Sequence, residues 1–189
     1  MYIIIAIIGI PVFFLLMFFI IMYNTLVGKK NQVQNVYGSI DALLKKRYDL
    51  IPNLVSTVKT YMKHEREVLT QITELRAKAV SGSLSEQEKM QLDSKMGKLL
   101  GGIMVAVENY PDLKANQNFL HLQSTLNEVE EQISAARRAY NAAVTDYNNS
   151  VEMFPTNIVA GMIGYKRKAV FEIDESERKN INVNKLFNE

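Results

Sequence analysis

Two histidines, His64 and His121, and no cysteine make up the chain's stock of the commonest metal ligands and strong nucleophiles. The absence of cysteine excludes disulfides, thiol catalysis and Cys-ligated metals. His64–Glu65 opens like a zinc-protease motif. That motif needs a second histidine four residues after the first, so that both face one metal; here that position is Val68. A hydrolase built on His64 and Glu65 is the enzymatic alternative, and nothing nearby completes it. The serines Ser81, Ser83 and Ser85 cluster without the G-x-S-x-G context of a nucleophile elbow. Glycine-rich phosphate loops follow a strand, and no strand is expected here. Glu130 and Glu131 read as a charged helix face rather than an acid–base pair. No catalytic, cofactor-binding or metal-ligating residue is assigned, and the chain is expected not to be an enzyme.

The informative polar residues lie where apolar ones are wanted. On a 100° count, Arg47, Glu65 and Arg76 all fall within about 20° of the centre of an apolar stripe. A buried charge must be paired or it costs several kcal/mol. Glu108, Glu130 and Arg137 are the candidate partners, either as ion pairs that fix helix register or as an interaction site. Two short basic runs, Lys45 to Tyr48 and Tyr165 to Lys168, are solvated surface or contacts for anionic lipid headgroups. The 22 basic and 20 acidic residues nearly cancel, which gives no case for nucleic acid binding.

The elements that would carry these residues are helices. No charged side chain precedes Lys29, and Tyr2 to Met22 is 21 residues of almost wholly apolar sequence. At about 1.5 Å per residue such a helix covers roughly 32 Å, the thickness of a hydrocarbon core. A cleaved signal would want a basic leading region and a small-residue cleavage site. Neither is present, so a retained single-pass anchor in the lipid bilayer is expected. Lys29, Lys30, Lys45, Lys46 and Arg47 follow it, and the positive-inside rule then puts the N-terminus outside and the rest in the cytoplasm.

After the anchor, one apolar stripe runs from Val33 to Ile72 and keeps its phase through Pro52, predicting one helix from about Asn31 to Val80 with a kink at Pro52. Ser85 and Glu88 have capping-box spacing and predict a helix from Ser85 to Asn109. Gly97 and Gly101 form a GxxxG off its apolar stripe, without a membrane role. From Phe119 to Tyr147 apolar residues alternate steps of three and four, a heptad seam within a helix from about Leu113 to Val151. Pro155 stops it. A short helix over Asn157 to Ile163 and an extended tail follow, the tail held to the bundle by Val170, Phe171, Ile173, Ile181, Val183, Leu186 and Phe187.

The strings "SIDALLKKRYDLIPNLVSTVKTYMKHE", "ENYPDLKANQNFLHLQSTLNEVEEQI" and "ARRAYNAAVTDYN" resemble the LemA family of bacterial membrane proteins. The resemblance covers nearly the whole chain and is thinnest over Ser81 to Gly102 and in the final tail. It implies a single-pass anchor and an antiparallel helical bundle counted as four helices. It carries no catalytic residue or cofactor, and hints at membrane proteases as protein partners. The expected organisation is an anchor over 1–28, a bundle over 29–155, and a short helix with a packed tail over 156–189. The fold class is all-α, three long helices equivalent to a four-helix bundle. The expected function is a scaffold or interaction protein at the bacterial cell membrane, with homo-oligomerisation through leftover seam surface open to it. The alternative is a lipid-binding or envelope-stress sensor.

Overall fold

In a computed structural model, the described residues are 2–82 and 84–171. They form six α-helices and, among the described residues, no strand: α1 Tyr2–Lys59, α2 Arg66–Val80, α3 Glu86–Ala106, α4 Pro111–Lys114, α5 Gln117–Glu152 and α6 Thr156–Met162. A short 3-10 turn, Val107–Asn109, links α3 to α4, and residues 165–171 follow α6 without helical structure.

The first helix holds the architecture together. At about 1.5 Å per residue, its 58 residues extend roughly 87 Å. Its first part is long and apolar enough to cross a membrane. Ile7, Phe13, Phe14, Leu16 and Ile20 there face outward without protein cover. The apolar stripe then narrows to one face, and Val33, Ile40, Leu44, Ile51, Leu54 and Val58 are buried. No loop separates the two parts.

α5 runs antiparallel along this second part. Lys29 pairs with Asp146, Tyr37 meets Tyr140 with ring centroids 6.0 Å apart, and the Asn116 amide donates to the Tyr61 hydroxyl. Numbers rising on one helix therefore fall on the other. The heptad seam supplies the α5 side of the core through Phe119, Leu126, Val129, Ile133, Tyr140, Ala143 and Tyr147. α2 and α3 complete a four-helix bundle with Leu69, Ile72, Met96, Leu100 and Ile103.

Local signals explain the helix starts. Ser85 Oγ accepts from the Glu88 N–H, and Glu88 Oε2 accepts from the Ser85 N–H at 2.9 Å, which closes the capping box. These bonds also hold the Glu88 carboxyl below its ordinary pKa. Asn116 caps α5 by accepting from the Asn118 and Phe119 N–H groups.

The single helix anticipated over 31–80 is two. Pro52 lies on the exposed side of α1, and the helix continues past it to Lys59. The chain changes direction at residues 60–65, not at Pro52. Met62, fully buried in that turn, closes the end of the core, and its N–H donates to the Val58 carbonyl. A period count reports which residues face the core, not the direction of travel. Two arms of a hairpin that bury one stripe therefore read as one helix. The division turns the anticipated three long helices into the four of the bundle.

Candidate functional site

The buried charges gather at mid-bundle. Arg47 on α1 is 4% exposed and Asp93 on α3 is 1% exposed. Arg47 Nη1 lies 2.9 Å from both Asp93 Oδ1 and Glu130 Oε2. Arg137 on α5 pairs with the other oxygen of Asp93. One carboxylate on α3 is thus shared by arginines from α1 and α5, and Glu130 answers Arg47 from α5. With two cations and two anions the cluster is neutral, and each charge gains a partner for the water it loses. Gly97, one turn beyond Asp93, leaves room here: a Cβ on it would sit 3.4 Å from the Arg47 guanidinium.

The other sequence candidates fall elsewhere. Arg76 is half-buried and its Nε donates to the Tyr48 carbonyl at 2.9 Å, so α2 is tied to α1 by a charged donor on backbone. Glu65 occupies the N-cap of α2, makes no capping bond with its side chain, and has no ion pair among the described residues. Glu108 pairs with Lys114 at the exposed far end of α3 and α4, remote from Arg47. His64 is exposed in the turn after α1 and His121 is exposed on α5. Among the described residues no group of histidine and carboxylate side chains is placed to hold a metal.

Tyr48 sits beside this cluster. Burial, then the Asp93 charge, push its hydroxyl up to about 12, and burial does the same for Tyr140.

A second polar arrangement lies along α5. Asn148, 6% exposed, donates from Nδ2 to the Lys168 carbonyl and accepts at Oδ1 from the Lys168 N–H, both at 2.9 Å. Asn141 holds Phe171 in the same two-way manner, at 3.0 and 2.7 Å. The Tyr147 hydroxyl donates to the Lys166 carbonyl, two residues before the Asn148 contact. Each amide offers one donor and one acceptor, as a neighbouring strand would. Residues 165–171 are thereby strapped along α5, antiparallel to it. Phe171 packs edge-on against Tyr140 with ring centroids 5.1 Å apart, and the Arg137 guanidinium lies over the Phe171 ring, 5.8 Å from its centroid, so strap and ion cluster join at one point. The expected packing of the tail thus holds for Phe171, which packs against the core, and not for Val170, which lies beside the groove but stays exposed. Ile173, Ile181, Val183, Leu186 and Phe187 lie outside the described residues.

Between α3 and α5 a groove of about 1080 Å³ remains open, with Arg47, Asp93, Glu130 and Arg137 in its lining. The strap's Ala169, Val170 and Phe171 form one end of it.

Sequence reasoning missed Asp93, Asn141 and Asn148. Asp93 stands three before Met96 and seven before Leu100, on the seam of α3, so a polar residue in a core position was there to be noticed. Asn141 and Asn148 each follow a seam tyrosine, seven residues apart. Their partner is backbone, which no residue pattern announces.

The sequence profile of the LemA family matches residues 36–184. Protein LemA of Metamycoplasma hominis is 30% identical over 95% of this chain and 87% of its own length. Magnetosome protein MamQ 2 of Paramagnetospirillum magneticum is 26% identical over 79% of this chain. MamQ of Magnetospirillum gryphiswaldense is 24% identical over the same share. The match spans 64% of the length of each of these two MamQ proteins.

Proposed function

The chain belongs to the LemA family, and from that premise we propose that it is a membrane-anchored scaffold, binding partners with its helix faces rather than catalysing a reaction. One observation carries the reading: α1 passes without a break from an outward-facing apolar segment into the centre of the bundle. A helix common to anchor and core fixes the bundle's position and orientation relative to the bilayer, which suits a protein that presents surfaces. The N-terminus lies outside and the bundle in the cytoplasm, as Lys29 and Lys30 at the end of the span favour. Crosslinking of the full chain in cells, followed by mass spectrometry, tests this. Reproducible crosslinks from bundle residues to membrane proteins are expected, and recovery of the chain with no neighbour above background refutes it. Labelling of Asn188→Cys by an impermeant thiol reagent only after the cells are opened is the expected topology result.

A specific surface favours lipid contact as a second role. α6 packs through Val159 and Ala160 on Met22 and Leu26, where α1 leaves its apolar span. Met153, Phe154, Ile158 and Met162 around it remain exposed, with exposed Lys166 and Arg167 nearby. Apolar side chains rimmed by basic ones at that level suit a headgroup interface. Lys45 and Lys46 do not: 23 residues beyond Met22, they stand roughly 35 Å further along α1. The chain has no tryptophan, so Phe154→Trp gives a single probe in nanodiscs. Brominated lipid should quench it, and leave Leu120→Trp at the other end of α5 bright; equal response of the two removes the lipid role.

A further inference from the structure

Asn148, Asn141, Ser134 and Asn127 recur every seven residues on α5 and so form one stripe along it. The first two already hold extended chain, Asn148 at residue 168 and Asn141 at residue 171. The spacing has a simple cause. Seven helical residues rise about 10.5 Å, and three extended residues cover about 10 Å. Continued in the same direction, that register sets Ser134 opposite position 174 and Asn127 opposite position 177. Ser134 and Asn127 both line the open groove between α3 and α5, which begins where the strap's Phe171 stands.

The groove has a charge as well as a direction. Lys95 and Lys98 from α3, with Arg138 from α5, line it alongside the balanced Arg47, Arg137, Asp93 and Glu130. Counting Arg47, the lining holds five cations and two anions. The Arg137 Nε is buried and donates to no acceptor. Met90, Leu100, Met104 and Leu126 supply apolar wall. The sequence after Phe171 is Glu172, Ile173, Asp174, Glu175, Ser176, Glu177: four acidic residues around one isoleucine, and then the basic Arg178 and Lys179.

We propose that this groove is a docking site for an extended acidic segment and that its occupant is the chain's own residues 172–177. These residues lie outside the described ones. What points to them is the direction of the strap, the continued seven-residue stripe, and the opposite charge of groove and segment. The strap and the docked segment then form one extended run over four rungs of α5. The inference rests on the bundle and the strap, and stands or falls independently of the scaffold reading.

The lack of cysteine allows a disulfide trap in the full chain. Ser134→Cys with Asp174→Cys is compared with Thr70→Cys and Asp174→Cys, Thr70 being exposed on α2. A docked segment raises the effective concentration of the first pair, so its intramolecular bond should form about tenfold faster or more. Arg138→Glu should slow it at low salt, and adding Glu175→Lys should restore it. Equal rates for the two pairs overturn docking. A Ser134–Asp174 bond that links two chains, seen as a dimer on a non-reducing gel, overturns the assignment to the chain's own segment and gives the groove to a second copy.

Discussion

Replacing Asp93 by alanine leaves two arginines, Arg47 and Arg137, without the carboxylate they share. Removing one member of a buried pair costs ~3–5 kcal/mol, because the remaining charge stays desolvated. Arg47 keeps Glu130, and the Arg137 side chain is 31% exposed and can reach water. Both features place Asp93→Ala at the lower end, about 3 kcal/mol. For a chain of this size that lowers the melting temperature by roughly 6–12 °C. Glu130→Ala should cost about 1 kcal/mol or less, since its side chain is 48% exposed and Arg47 retains Asp93. The measurement is thermal and urea unfolding of the full chain in detergent, followed by far-UV circular dichroism. Arg47→Ala combined with Asp93→Ala should fall short of additivity by more than about 1 kcal/mol, because the second change removes a charge the first had already stranded. If Asp93→Ala is no more damaging than Glu130→Ala, the account of a shared, buried carboxylate at the bundle's centre is wrong.

Gly102 lies inside α3, and a Cβ there would meet nothing within 4 Å. Gly102→Ala should therefore raise stability by about 0.5–1 kcal/mol through the unfolded chain's lost freedom, read as a higher urea midpoint with an unchanged slope. Tyr48 and Tyr140 titrate near 12 in the folded protein against an ordinary 10. Their neutral form is favoured by folding, so that contribution is whole below pH 10 and is lost as pH rises through 12. The melting temperature should be level up to about pH 10 and fall steadily above it; a flat profile through that range refutes the burial of these hydroxyls.

The sequence disclosed most where one helix reports on itself. The capping box at Ser85 and Glu88, the seam of α5 and the apolar span before Lys29 are all local patterns. Each is written in the spacing of side chains along a single element. Arg47 could be singled out because a charge in an apolar stripe is anomalous within its own helix, and Glu130 and Arg137 could be named beside it as complementary charges. Asp93 obeys the same rule, but its neighbour Leu92 is buried as well, and an apolar stripe centred on the leucine leaves Asp93 to one side. The hairpin at 60–65 was hidden for a different reason. Nothing in "TYMKHE" breaks a helix, neither proline nor glycine, and the turn is held by Met62 filling the end of a core that exists only once α5 has packed. Pro52 offered an obvious local cause for a bend. Its missing donor frees the carbonyl of Tyr48, four residues back, and the Arg76 Nε supplies that carbonyl with another, so the helix runs on. The asparagines of α5 are the hardest case. An amide that binds backbone places no demand on the identity of its partner, so Lys168 and Phe171 carry no mark of being held. Only the repeat of seven from Asn148 to Asn127 betrays them, and that repeat gains meaning once two of its four positions are seen gripping an extended chain.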